Sequence, residues 1–306
     1  MTNNIIFLTY TNKENEQYKR YENSCIKNKI IPIKVGIINE NYSAHLKIKN
    51  IYTYLKNTKI KNPVVCVTDS WDVILMENKQ KIYESFLEEK KPYLFSAETN
   101  FYCVSPLPVL NKWKCKDYLN SGGYIGYKNN LLPILEEIIN NNYYNILNCD
   151  QTMFYHYFYY NMDKLELDHN RKIFGTIIKK HNFISRYFFV QLYGYEIDFK
   201  IVNKNVYYKK NNNKSLIVHV PGKKPLFLNY LAYINNIHNQ FIQELIMFIL
   251  IRLIYSVFFI PIYFYPKILI MYIIIKISDK YLFSSHYELK FRRLIKSKLN
   301  VSKSYY

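Results

Sequence analysis

The sequence predicts an α/β protein with a mainly parallel sheet and helices on both of its faces. Short apolar runs of strand length alternate with helix-length segments of mixed polarity, and the first three segments form a β-α-β unit. The apolar run VVCVT at 64–68 also leads directly into Asp69 and Asp72. Strands of α/β sheets release ligand-binding groups at their carboxyl ends, where crevices form.

Taken in order, residues 5–10 read as a strand, 18–27 as a helix and 30–38 as a second strand. A helix over 44–57 leads to the strand 64–68. A helix over 81–89 and a strand over 93–96 follow, the latter ending in Ala97 and Glu98, before a loop with Pro106 and Pro108. The segment YLNSGGYIGY then carries two adjacent glycines in a chain that has only 7. Glycine where it is scarce marks backbone that turns tightly or approaches a ligand closely. Helices over 131–140 and 150–160, a turn and strand over 168–174, and a polar break at 211–214 precede a strand over 215–220. That strand contains His219 and runs into Pro221, Gly222, Lys223 and Lys224.

At 306 residues and 49% hydrophobic content the chain can bury a large core, which excludes disordered and fibrous classes. The 42 Lys and Arg against 23 Asp and Glu raise three partners: nucleic acid, an anionic membrane, or an acidic small molecule. AT-rich codons account for part of this excess. No helix-turn-helix, RRM or zinc-finger pattern appears, so nucleic acid is not expected. The odd set Cys25, Cys66, Cys103, Cys115 and Cys149 has no CxxC pair and suggests neither a zinc site nor a disulfide framework. A reducing compartment is expected. With a strand expected at 5–10, no signal peptide is expected.

The chain is expected to divide into residues 1–240 and 241–306. Residues 245–275 are apolar apart from Ser256, the tyrosines, Arg252 and Lys267, with Pro261 and Pro266 in the middle. The run between the two cations is shorter than the ~20 residues of a spanning helix. A re-entrant hairpin or two short embedded helices is expected, giving membrane association through 241–280. The basic run 290–303 would face anionic headgroups, with catalytic domain and tail both on the cytoplasmic side. An apolar helical pair packed on the domain or on a partner is the alternative.

A hard divalent cation wants several oxygen ligands, and Asp69 and Asp72 are spaced to supply two. Taken alone, such a pair also fits a helix cap, and Trp71 between them fits either nucleobase stacking or plain packing. Beside VVCVTDSWDVIL stand LFSAE, YLNSGGYIG, CDQTMF, LDHNRKIF and VHVPGKK. Together these blocks resemble the glycosyltransferase domain of procollagen lysyl hydroxylases, the collagen glycosyltransferases and their giant-virus relatives, over about residues 4–225.

The resemblance implies a GT-A-like, Rossmann-like fold. It also implies a Mn²⁺-dependent transferase that moves galactose or glucose from a UDP-sugar to an acceptor hydroxyl, on a hydroxylysine of a collagen-like protein or on a glycan. Asp69 and Asp72 match its D-x-x-D metal ligands, His219 matches the third ligand, and Trp71 matches an aromatic stacked on uracil. An imidazole beside two carboxylates suits Mn²⁺ better than Ca²⁺. Gly222 and Lys224 (or Lys223) match the following glycine and lysine, the lysine neutralising the leaving diphosphate. Glu98, Asn120, Ser121 and Gly122 match the sugar-donor pocket. Asp150 and Gln151 match the D-D-Q block, which makes Asp150, with Glu98, the catalytic candidate. Asp168 and His169 match a structural block.

Three positions depart from the family pattern. Cys149 replaces the first aspartate of D-D-Q, no tryptophan follows the S-A-E block, and the H-G-N-G block reads His219-Val220-Pro221-Gly222. These changes bear on sugar and acceptor choice. A membrane-attached binding or scaffolding protein that keeps the fold without catalysis is the competing reading.

Overall fold

In the computed structural model, β1 (Ile5–Tyr10) is buried along its length and pairs in parallel with β2 (Ile33–Val35) and β3 (Val64–Asp69). The structure describes residues 5–36, 43–99, 117–141, 149–178, 198–221, 226–237, 241–242, 245–246 and 250. The strand expected over 30–38 is confined to Ile33–Val35. Pro32 precedes it, and Gly36 follows at φ 151°, where an added Cβ would lie 2.5 Å from the Thr11 carbonyl oxygen.

The central sheet has the order β2-β1-β3-β6-β5, with β6 (Tyr118–Tyr127) antiparallel to both β3 and β5 (Tyr93–Glu98). The expectation of a mainly parallel sheet holds with one strand reversed. Four strands therefore deliver their carboxyl ends to one edge, and β6 begins at that same edge.

Helices cover both faces. Asn15 caps α1 (Glu16–Lys27) by accepting the Tyr18 N–H at 2.9 Å, which starts the helix before the expected residue 18. Asn78 does the same for α3 (Lys79–Glu88), accepting from Lys81. α2 (Ala44–Asn57) has its expected bounds, and α4 (Lys128–Asn140) starts earlier than residue 131. α5 (Asp150–Tyr160) also has its expected bounds. Alternate strand residues face opposite ways. Val65, Val67, Phe95 and Tyr124 pack with Ile48, Ile51, Leu135 and Phe154 of α2, α4 and α5. Val64, Cys66, Leu94 and Ile125 pack with Tyr21, Cys25, Ile82 and Phe86 of α1 and α3.

A second sheet carries β4 (Val73–Leu75), β7 (Phe174–Thr176) and β11 (Ile217–His219), with β11 central. The LDHNRKIF block is structural, as expected: the buried Asp168 carboxylate accepts the N–H groups of Lys172, Ile173 and Phe174 and so shapes the turn into β7. Residues before the expected break at 211–214 form a hairpin, β8 (Phe199–Val202) with β9 (Asn205–Tyr208), extended by β10 (Asn213–Lys214). Cys25, Cys66 and Cys149 are free thiols.

Two compact units divide the chain, Met1–Phe241 and Ile242–Tyr306. The first ends with α6 (Leu226–Ile234), Ile237 and Phe241. The expected apolar segment and basic run fall almost entirely outside the described residues. Among the described residues, no helix is long and apolar enough to cross a membrane.

Candidate active site

Asp69 closes β3 at the carboxyl edge of the sheet, and Asp72 immediately precedes β4. β4 pairs with β11 so that Val73 faces His219, and the Val220 N–H donates to the Asp72 carbonyl at 2.8 Å. Strand register therefore brings residues 147 positions apart in sequence side by side. One carboxylate oxygen each of Asp69 and Asp72 and one ring nitrogen of His219 lie within 4.8 Å of one another.

Hydrogen bonding fixes the state of that imidazole. Asn120 Oδ1 accepts the Gly122 N–H at 2.9 Å, so the other branch of its amide is the donor, directed to Glu98 Oε2 at 3.0 Å. The same Oδ1 lies 3.0 Å from His219 Nδ1 and can only accept there. In the neutral ring the proton is on Nδ1 and the lone pair on Nε2. That buried nitrogen has no hydrogen-bond partner, and Asp72 Oδ1 at 3.4 Å is an ionic neighbour rather than an acceptor in good geometry. Burial disfavours the imidazolium, but Asp72, Asp69 and Glu98 outweigh it and hold the His219 pKa above its ordinary value. An unpartnered imidazole nitrogen facing two carboxylates is a donor set that fits a divalent cation.

Lys47 on α2 completes the floor of the site, and sequence reasoning missed it. Its buried Nζ lies 2.5 Å from Asp69 Oδ1 and 2.6 Å from Asp150 Oδ2. Burial works against the Asp150 charge, yet Lys47 and the Ser121 hydroxyl hold its carboxyl below the usual range. Its place in the first turn of α5 adds the favourable end of the helix dipole. For Asp69, burial outweighs Lys47, and with Asp72 and Asp150 nearby its pKa goes up. A signal for Lys47 was present: it occupies the buried stripe of α2 with Ala44, Ile48, Ile51 and Leu55.

Glu98, at the end of β5, is buried and accepts from Gln151 Nε2 at 2.6 Å as well as from Asn120. Burial pushes its carboxyl up to about 7 despite these donors. The structure thus brings Glu98, Asn120, Ser121, Gly122, Asp150 and Gln151 to the same edge as the metal-type group.

Pairing between β5 and β6 jumps from Phe95–Tyr124 to Ser96–Asn120, so Ser121, Gly122 and Gly123 bulge from the ladder. The glycines, expected where backbone turns tightly or approaches a ligand, also make room for neighbouring side chains. A Cβ on Gly122 would fall 2.2 Å from His219 Cε1, and one on Gly123 would fall 2.7 Å from the Phe174 ring. Trp71 is half-buried against the α1/α3 core, with its Nε1 donating to Thr11 Oγ1 at 3.3 Å. Its carbonyl accepts from the buried Arg20, which also donates to Asn229 of α6. Gly222, Lys223 and Lys224 lie outside the described residues.

Comparison with known proteins places the chain in a family. The profile described as "PLOD GT domain" matches residues 1–244. Procollagen-lysine,2-oxoglutarate 5-dioxygenase 1 of Bos taurus is 28% identical over 148 residues, covering 44% of this chain and 20% of that protein. The multifunctional procollagen lysine hydroxylase and glycosyltransferase LH3 of Rattus norvegicus is 29% identical over 123 residues, 37% of this chain and 16% of its own. The chain thus spans about a fifth of the curated relatives it matches. Among solved structures, a glycosyltransferase involved in the glycosylation of the major capsid of PBCV-1 aligns with a TM-score of 0.43 and 14% identity, over 74% of this chain and 98% of that one. With its matched region enclosing every residue of the Asp69–Asp72–His219 group, the chain belongs to the PLOD GT domain family of glycosyltransferase domains.

Proposed function

We propose that this chain transfers a hexose, galactose or glucose, from a UDP-sugar to an acceptor hydroxyl, with Mn²⁺ held by Asp69, Asp72 and His219. The observation that carries this reading is the convergence at one sheet edge of that group, the buried Lys47–Asp150 pair and the Glu98–Asn120–Gln151 cluster. When bound, the cation supplies charge neutralisation for the diphosphate leaving group.

The chain's own residues supply the rest. Lys47 keeps Asp150 ionised, so a fixed negative charge stands where a sugar or acceptor hydroxyl is to be oriented. Glu98, with a pKa of about 7, can hold or give up a proton near neutrality while Asn120 and Gln151 fix its plane. Asn120 orients His219 through Nδ1. Trp71 offers a half-buried indole for a uracil ring, and Lys224 is the proposed cation for the departing UDP. The acceptor is a hydroxylysine of a collagen-like chain or a glycan. The transferase domain is residues 1–240, and residues 241–306 attach it to a membrane from the cytoplasmic side.

The test is a UDP-sugar panel with mass spectrometry of the products. Mn²⁺-dependent turnover of one sugar, lost in Asp72→Ala, supports the reading. UDP binding without turnover of any donor would leave a binding domain, and absence of both would remove the assignment.

A further inference from the structure

We infer that the end of the domain opposite the active site is a docking surface for an anionic membrane. Within Met1–Phe241, the exposed large apolar side chains among the described residues are Ile26, Ile31, Ile60, Leu87, Tyr160, Val202 and Tyr233. Ile26 is 65%, Ile31 89% and Tyr160 76% exposed. Topology puts them together. Asp69 and Glu98 close β3 and β5 at the catalytic edge, whereas Ile60 in the connection before β3 and Leu87 in the last turn of α3 before β5 stand at the other end, about 20 Å away along six residues of strand. α5 starts at Asp150 in the site and ends at Tyr160 at the far end. Ile26 and Ile31 flank the connection that leaves α1 and enters β2.

Lysines alternate with these apolar residues. Lys27 and Lys29 lie between Ile26 and Ile31, Lys59 and Lys61 flank Ile60, and Lys90 and Lys91 follow Leu87, all of them exposed. The β8–β9 turn, with Val202 and Lys204, joins the same end: Asn235 Nδ2 donates to the Lys204 carbonyl, and Lys27 Nζ donates to the Asn235 carbonyl. Burial, with the Lys204 charge nearby, holds the Lys27 pKa below its ordinary value. The acids at this end are largely engaged, Glu88 and Glu89 by Lys172 and Glu166 by Lys91.

Apolar tips interleaved with cations match an anionic headgroup layer, in which lysines meet phosphate and carboxylate while isoleucines enter the acyl boundary. α6 is held along α1 by hydrogen bonds of Arg20 to Asn229, Asn23 to the Ile237 carbonyl and Lys27 to the Asn235 carbonyl, so this end of the domain is one continuous surface. Docking here would turn the catalytic edge toward water. The inference does not depend on the reaction proposed above.

The test uses the full chain with vesicles of phosphatidylcholine, alone or mixed with phosphatidylserine, read by co-sedimentation over a salt series. Two charge-reversed sets are compared with wild type: Lys27→Glu with Lys29→Glu and Lys204→Glu, and Lys59→Glu with Lys61→Glu and Lys90→Glu, the second avoiding every contact to α6. Each set is expected to lower partitioning onto phosphatidylserine vesicles by about tenfold or more at low salt. The thermal midpoint of the second set and the Mn²⁺ affinity of both sets should stay unchanged. A third variant reverses Lys290, Arg292 and Arg293 with this end intact. Wild-type partitioning in both domain sets, with all loss confined to the third variant, overturns the inference. So does equal binding of wild type to both kinds of vesicle, or no binding to either.

Discussion

Asn120 Oδ1 lies 3.0 Å from His219 Nδ1 and is committed as an acceptor by the Gly122 N–H, so it sets which imidazole nitrogen keeps a lone pair. Asn120→Ala removes that control while leaving Asp69, Asp72 and His219 in the chain. Loss of such an orienting partner lowers metal affinity by about 10- to 100-fold. Calorimetric Mn²⁺ titration checks this, and unchanged affinity would remove His219 as an oriented ligand. Acid should compete with the metal, because a proton on Nε2 blocks it and the neighbouring carboxylates hold that proton to a higher pH than in free histidine.

Lys47 gives a different signature. Its ammonium is the counter-charge for Asp69 and Asp150, and Lys47→Met leaves two carboxylates facing each other with little water. Breaking one side of a buried ion network costs about 3 kcal/mol or more. A bound cation at Asp69 restores part of the missing positive charge. The drop in thermal midpoint should therefore be larger in EDTA than in saturating Mn²⁺. Equal drops in both conditions would show that Lys47 and the metal do not share Asp69.

Much of this site was legible because its residues sit at element ends. Asp69, Glu98 and His219 close strands and Asp150 opens a helix, places where a polar residue after an apolar run is conspicuous. Lys47 was not conspicuous. Lysine is so frequent here that one more, next to Lys49, carries little signal by residue type, although Lys47 and not Lys49 falls on the apolar stripe of α2. The role of Gly122 was equally hidden, since the ring it touches lies 97 residues further along the chain.

The fold shows the same division. α2 and α5 begin and end where the sequence places them, α2 because a buried stripe of Ala44, Ile48, Ile51 and Leu55 spans it and α5 because it is buried nearly all round from Asp150 to Phe158. The β8–β10 hairpin was missed: its strands are short, half-exposed and rich in Lys, Asn and Tyr, so no alternation separated them from a polar break. The reversal of β6 was also beyond the sequence. A ten-residue strand with three glycines reads as a turn until its neighbours are known, and only then do the glycines mark the bulge and its close contacts.

The two adjacent glycines of β6 make separable predictions. Gly122→Ala places a methyl group inside the His219 ring volume, so the imidazole must move and Mn²⁺ affinity should fall at least about tenfold. Gly123→Ala instead meets the Phe174 ring and should cost about 1–3 kcal/mol of stability, the usual cost of overpacking, with metal affinity retained. Paired calorimetry and thermal melts distinguish them. Equal loss of metal affinity in both variants would mean that the bulge as a whole, and not the His219 contact, sets the site.

Glu98 links the site to stability through pH. Burial raises its pKa from 4.5 to about 7, so the folded protein binds this proton more tightly than the unfolded chain. The stabilisation is complete below the unfolded value and is lost as pH rises through about 7. The difference between the two limits is about 3 kcal/mol. In EDTA, wild-type unfolding free energy should therefore fall between pH 5 and pH 8 by roughly that amount more than in Glu98→Gln. The variant carries a constant penalty, because its amide faces the donors of Asn120 and Gln151 at one oxygen's place. That offset does not vary with pH, so the slope is the readout. Parallel slopes would mean that Glu98 ionises at its ordinary pKa and is not the near-neutral proton carrier of this site.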